Sequence, residues 1–159
     1  MSLSVTVLLP VHKYSEKFFV SLNACLNQTY KDYLVYILID GLNENLYSQI
    51  LKKYNKEIFR NNKIKIYYSK LNLGLTKILN KGIGISKSDL IMRNDYDDIP
   101  YKDKMKLQVD KFNCNENLNM VYTFFNFIGN NNKNFKYKRP KYTNNSLKKK
   151  LGYKNPIAH

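Results

Sequence analysis

Tryptophan is absent from this 159-residue chain, which also holds only four prolines, six glycines and two cysteines. Cys25 and Cys114 lie far apart, with no CxxC and no Cys/His spacing of the zinc kind, so both read as ordinary reduced thiols. Cys25 falls on the apolar face of a predicted helix, where a small buried hydrophobe is the expected role. No apolar run approaches the roughly 18 residues that a membrane span requires; the longest, around residues 35–39, has strand length. Met1-Ser2-Leu3-Ser4 carries neither the basic region nor the apolar stretch of a secretory signal, and a cytoplasmic setting is expected. The glycines are absent where two nucleotide-binding motifs need them. All six lie at or after Gly41, so the turn spanning residues 10–15 has none, which excludes the dinucleotide fingerprint and the P-loop.

Acids are scarce as well: 12 Asp and Glu against 27 Lys and Arg leave a formal charge of +15. Lys, Asn, Tyr and Ile are abundant together, as codon bias toward A and T produces, so the total is less informative than its distribution. From Lys111 onward Glu116 is the only acid, while Lys133, Lys136, Lys138, Arg139, Lys141, Lys148, Lys149, Lys150 and Lys154 accumulate. A basic second half suits an anionic partner, either nucleotide phosphates or an anionic membrane surface. Nucleic acid is the less favoured partner, although Tyr137, Tyr142 and Tyr153 interleave with these lysines.

What is present is enough to build a core. Hydrophobic residues make up 43% and aromatics 14%, which fits one globular domain rather than a disordered chain. Val5-Thr6-Val7-Leu8-Leu9-Pro10 predicts a buried strand. Ser15 predicts an N-cap, and Phe18, Leu22, Cys25 and Leu26 then mark a helix running to about Gln28. The same alternation continues with a strand over 33–40, a helix marked by Leu46, Ile50 and Tyr54, and a strand over 64–69. A helix over 75–85 and a strand over 90–92 follow. Residues 102–112 predict a helix, 120–129 a fifth apolar strand, and 146–151 a short helix; no repeat is visible. Strands alternating with helices predict an α/β fold with a mostly parallel sheet covered on both faces. Ligands of such sheets gather at the carboxyl ends of the strands. His12, then Asp40 and Gly41, then Asn72 and Gly74, then Asn94-Asp95-Tyr96-Asp97-Asp98 occupy those four ends.

Asp95 and Asp97 are two apart in extended chain and point to the same side. Asp98 adds a third carboxylate, and three such neighbours repel unless a cation neutralises them or some are protonated. Hard oxygen donors suit Mg²⁺ or Mn²⁺. The alternative is a solvated acidic turn in which Asp97 or Asp98 caps the next helix. Asp40-Gly41 admits two readings: a turn whose aspartate caps the helix near Asn43, or a carboxylate that accepts a nucleobase N–H.

Taken in order, these segments resemble a family-2 glycosyltransferase. Val5-Thr6-Val7-Leu8-Leu9-Pro10-Val11-His12 is similar to the family's first strand and its P-V-Y-N turn, Gln28-Thr29-Tyr30 to its Q-T-Y, and Asp40-Gly41 to the end of its D-D-G. Asn72-Leu73-Gly74-Leu75 with Asn80-Lys81-Gly82-Ile83 resembles its N-x-G-L and N-x-G helix. Arg93-Asn94-Asp95-Tyr96-Asp97-Asp98-Ile99-Pro100 resembles R-M-D-x-D-D-I-x-P, and Asn155-Pro156-Ile157-Ala158-His159 resembles N-P-I-x-H. The resemblance implies the three-layer, Rossmann-like GT-A fold, with residues 1–129 binding a nucleotide sugar. Residues 130–159 would open an acceptor-side region that is incomplete here, its general base expected beyond His159.

By the same resemblance Asp95, Asp97 and Asp98 would hold Mn²⁺ or Mg²⁺, which grips the diphosphate of a UDP-sugar. Pro10, Val11, His12, Asp40, Asn72, Gly74, Asn80, Asp95 and Tyr96 would bind the donor. The implied reaction is inverting transfer to a glycan or lipid-linked acceptor, in a cytoplasmic setting with peripheral contact at the inner membrane face. A sugar nucleotidyltransferase and a non-catalytic basic binding module are the competing readings. Apolar surface is expected at Phe124, Phe125 and Phe127.

Overall fold

A computed structural model describes residues 2–41, 43–129, 134–136, 145, 146 and 149. The chain divides into two compact units, Met1–Glu116 and Asn117–His159.

The first unit alternates β1 (Val5–Val11), α1 (Glu16–Leu26), β2 (Tyr33–Asp40), α2 (Glu44–Asn55), β3 (Ile64–Ser69), α3 (Leu75–Ile85), β4 (Leu90–Arg93) and α4 (Lys104–Cys114). A π-helical turn, Lys56–Arg60, extends α2. The four strands form one parallel sheet in the order β3-β2-β1-β4. Every residue of β1 is buried, and all of β2 except Leu34. These central strands are continuous apolar runs because helices cover both of their faces.

One face gathers Val5, Val7, Leu9 and Val11 with Phe18, Leu22 and Cys25 of α1, Leu46 and Ile50 of α2, and Met105 and Val109 of α4. The opposite face sets Leu8, Tyr36 and Leu38 against Ile78 of α3. Right-handed crossovers dictate this division: β1 to β2 to β3 steps one way across the sheet and places α1 and α2 together. The jump from β3 back past β1 to β4 reverses direction and places α3 on the other side.

The helix termini follow side-chain chemistry. Ser15 is the N-cap of α1, as the sequence predicts, its Oγ accepting from Lys17 N–H at 3.2 Å. The helix ends at Leu26 rather than at Gln28, because the Gln28 amide is drawn elsewhere. Its Nε2 donates to the carbonyls of Ala24 and Tyr101, and its Oε1 accepts from Met105 N–H. That buried side chain joins the end of α1 to the start of α4, which begins at Lys104 rather than at 102. Burial pushes the Cys25 thiol up to about 12, so it stays protonated as a core residue. Among the described residues no helix is long and apolar enough to cross a membrane.

In the second unit the expected fifth strand over 120–129 shrinks to β5 (Asn126–Ile128). It pairs antiparallel with β6 (Asn134–Lys136) rather than extending the parallel sheet. An apolar run specifies burial or pairing but not the partner, and here only three residues find one. Phe124 and Phe127 are exposed, at 49% and 55%, while Phe125 is half-buried and meets Phe127 edge-on at 5.0 Å. The short helix expected over 146–151 and the segment Asn155-Pro156-Ile157-Ala158-His159 fall largely or wholly outside the described residues.

Candidate functional site: a cleft at the strand ends

The reversal of strand order lies between β1 and β4, and an open α/β sheet places its crevice there. Local chemistry sharpens it. The carbonyl of Leu8 accepts the Asn94 N–H at 3.1 Å, so Leu8 turns its backbone toward β4. Two residues on, the β1 backbone faces β4 again, and there Pro10 has no N–H to offer. The ladder stops: β4 ends at Arg93, opposite Leu8, while β1 continues to Val11. A cleft of about 360 Å³ opens there, lined by Pro10, Val11, His12, Asp40, Asn72, Gly74, Leu75, Ile78, Asp95, Tyr96 and Asp97.

Nearly all the residues expected to bind donor or metal therefore share one concavity. Asn80 and Asp98 are the exceptions: Asn80 is an exposed residue of α3, Asp98 is exposed on the acidic turn, and neither lines the cleft. Leu75 and Ile78 line it although periodicity marks them only as a helix face. Their position one and four residues after Gly74, at a strand-end loop, was the available signal.

The acidic turn is held from beneath. Asn94, fully buried, donates from Nδ2 to Ser21 Oγ (3.0 Å) and to the carbonyls of Asp95 (3.0 Å) and Asp98 (3.1 Å). Ser21 Oγ donates to Asp98 O at 2.7 Å, and Asp98 N–H closes the turn on Asp95 O at 3.1 Å. Oδ1 of Asn94 has no partner among the described residues. The side chains of Asp95, Tyr96 and Asp97 thus reach the cleft from a turn fixed by its own carbonyls. Asn94→Ala strips those carbonyls of a buried donor and is expected to cost about 2 kcal/mol in chemical denaturation. Neither Asp97 nor Asp98 caps the following helix; Asp103 takes that position, without a side-chain bond.

The three carboxylates do not act as one set. Arg93 Nε donates to Asp95 Oδ1 at 2.9 Å and its terminal nitrogen to Oδ2 at 3.1 Å, a bidentate pair. Lys104, half-buried, lies within electrostatic reach of Cys25, Asp98 and Asp95; its burial lowers the ammonium pKa and these three groups oppose that. The repulsion expected among neighbouring acids is relieved by these resident cations. Among the described residues no group of three His, Cys, Asp or Glu side chains is placed to hold a metal.

A smaller set fits. Mg²⁺ commonly takes one or two protein carboxylates and completes its shell with substrate phosphates and water. Asp97 is exposed, lines the cleft, and has no hydrogen-bond or ion-pair partner among the described residues. It is the open carboxylate of the cleft, with Asp95 beside it.

Asp40 takes a role that neither sequence reading anticipated. Buried at 5% exposure, it accepts from Leu73 N–H through Oδ1 (2.7 Å) and from Gly74 N–H through Oδ2 (2.9 Å). Asn43, not Asp40, caps α2, its Oδ1 accepting from Leu46 N–H at 3.0 Å. Gly41 and Gly74 adopt φ of +98° and +84°, which glycine tolerates without strain. A Cβ on Gly41 would meet Asn72 Cβ at 3.6 Å, so the Asn72-Leu73-Gly74 loop is drawn down onto the end of β2. His12 stands edge-on to Tyr96, ring centroids 6.0 Å apart, joining the ends of β1 and β4.

Comparison with known proteins agrees with this arrangement. The O-antigen biosynthesis glycosyltransferase WbnJ of Escherichia coli is 31% identical over 157 residues, covering 98% of this chain and 59% of that protein. S. aureus TarS, solved as a fragment in complex with UDP, superposes with a TM-score of 0.60 at 18% identity, over 69% of this chain and 32% of that one. The mannosyltransferase PcManGT from Pyrobaculum calidifontis, solved with GDP-Man and Mn²⁺, gives 0.54 at 15% identity, over 61% of this chain and 28% of that one. At these identities the solved structures establish the GT-A fold. The chain spans less than two thirds of the length of each of these relatives. Residues 6–159 match the model of glycosyl transferase family 2, and a parallel sheet with its cleft at the β1/β4 reversal is what that match describes in three dimensions: the chain belongs to glycosyl transferase family 2.

Proposed function

We propose that the cleft binds a nucleoside diphosphate sugar, UDP-linked in the simplest case, and forms the donor side of a metal-dependent, inverting transfer to a glycan or lipid-linked acceptor. The observation that carries this reading is the convergence of Pro10, Val11, His12, Asp40 and the Asp95-Tyr96-Asp97 turn on one cleft in a family-2 chain. The UDP and the GDP-Man with Mn²⁺ bound by similar structures support it.

Pro10, Val11 and His12 give a rigid floor for the base, and the Asn72-Leu73-Gly74 loop, pinned by Asp40, closes one wall. Asp40 keeps lone pairs beyond the two it spends on backbone N–H groups, lines the cleft, and is proposed to accept from the base edge. Asp97, beside the Arg93-bound Asp95, would hold Mn²⁺ or Mg²⁺. The ion would supply charge stabilisation as the diphosphate leaves. An acceptor hydroxyl attacks the anomeric carbon opposite the leaving group, and its proton passes to a general base. None of the three carboxylates lining the cleft is proposed for that duty: Asp40 holds a loop, Asp95 holds Arg93, and Asp97 is given to the metal. The basic stretch after Lys111 is proposed to meet an anionic membrane surface peripherally.

Calorimetry with uridine diphosphate tests the donor reading directly. Binding tighter than about 1 mM is expected with Mn²⁺ present. Weakening by roughly tenfold or more is expected when the metal is chelated. Heat of dilution alone at millimolar UDP and Mn²⁺ would refute it.

A further inference from the structure

Three carboxylates line the cleft and two already have a partner at each oxygen: Asp40 accepts from the N–H groups of Leu73 and Gly74, and Asp95 accepts from Arg93 through both oxygens. Asp97 alone faces the cleft with no partner among the described residues. Arg93 is not itself a lining residue; its guanidinium reaches Asp95 from outside the cleft, each side chain being 28% exposed. We propose that Arg93 is a positioning residue that sets the affinity of this cleft for divalent metal. By occupying both oxygens of Asp95, it makes Asp97 the single free carboxylate and couples metal binding to the arrival of a diphosphate. The inference rests on the metal-bound donor reading above and deepens it.

The physical argument is one of charge and of free lone pairs. An ionised carboxylate offers about four acceptor sites, and a bidentate guanidinium takes two of them while cancelling the charge. A divalent ion approaching Asp97 therefore finds one net negative ligand, beside an Asp95 that already has the charges of Arg93 and Lys104 as neighbours. Affinity for a hard cation rises with the number of charged oxygen ligands, so a one-carboxylate site binds the bare ion weakly. A diphosphate supplies the missing negative oxygens, and metal and nucleotide then bind far better together than either does alone.

The geometry of Arg93 is local in origin. Arg93 and Asp95 are two residues apart where β4 runs out, and side chains at that spacing share a face. Had a neutral residue stood at 93, Asp95 and Asp97 would both be open to the cleft.

Mn²⁺ titration read by the loss of its free-ion electron paramagnetic resonance signal, with and without UDP, tests this on the intact chain. For the native chain, weak binding of Mn²⁺ alone and a marked tightening with UDP are expected. Arg93→Gln is expected to tighten binding of Mn²⁺ alone by roughly tenfold, because Asp95 becomes a second carboxylate ligand, and to shrink the dependence on UDP. Arg93→Lys, which keeps charge but loses the fork, falls between, and it carries the test if Arg93→Gln does not fold. Unchanged or weaker Mn²⁺ affinity in both Arg93 variants, with binding still lost in Asp97→Ala, would overturn the role of Arg93 and leave the metal reading standing. Failure of every form to bind Mn²⁺, with or without UDP, would overturn both.

Discussion

Asp97→Ala is expected to weaken Mn²⁺-dependent binding of uridine diphosphate by about 100-fold or more, about 3 kcal/mol, and to leave the folded chain almost unchanged. Both halves follow from its surroundings. Asp97 is exposed and makes no hydrogen bond or ion pair among the described residues, so its loss removes nothing that holds the turn. Surface substitutions of that kind usually stay within about 0.5 kcal/mol of the parent. Binding depends on it differently, because Asp95 and Asp40 are engaged and no other lining carboxylate is open to a cation.

Asp95→Ala provides the contrast. It frees a half-buried guanidinium and is expected to lower stability by about 1 kcal/mol, discounted for exposure, besides its effect on the cleft. The paired measurement is calorimetry for binding and a thermal melt for stability. Equal nucleotide affinity in Asp97→Ala and the native chain would mean that the diphosphate is held without this carboxylate, and the metal reading would fall.

The parallel sheet was legible because its physics is local. Strands covered on two faces are mostly apolar, and residues 33–39 display that pattern up to the polar strand end at Asp40, while β3 at the sheet edge mixes Lys65 and Ser69 with its apolar residues. The helix over 75–85 was legible from its 3.6-residue period, with Gly74 immediately before it. Residues 120–129 have the same apolar content as a buried strand, yet only Asn126–Ile128 pairs, since hydrophobicity carries no information about which edge is available. The composition of the cleft was legible from strand ends, but the state of its carboxylates was not. The partners of Asp40 lie across the β3–α3 connection, a tertiary fact with no sequence period. The pair of Arg93 with Asp95 did have a signal, the two-residue spacing at the end of β4. The same two-residue spacing relates Asp95 to Asp97, and one such step back from Asp95 lies the guanidinium.

Asp40→Ala is expected to produce the largest loss of stability among these variants, about 3 kcal/mol, because Leu73 N–H loses its charged, buried acceptor and Gly74 N–H is left with Asn72 Oδ1 alone. The loop it holds carries Asn72 and Gly74, both lining the cleft, so nucleotide affinity should fall with stability. Asp40→Asn separates the structural duty from contact with the ligand. Its amide keeps one acceptor oxygen and turns a donor toward the second N–H, so stability should fall by about half as much. If Asp40 also accepts from a nucleobase N–H, the asparagine variant loses nucleotide affinity beyond what its modest destabilisation explains, and the loss differs between uridine diphosphate and a nucleotide with another base edge. If it serves the loop alone, affinity tracks stability across both variants and all bases. Denaturant midpoints set beside calorimetric affinities for the three proteins decide between the two, and a native-like midpoint in Asp40→Ala would remove the loop-pinning role itself.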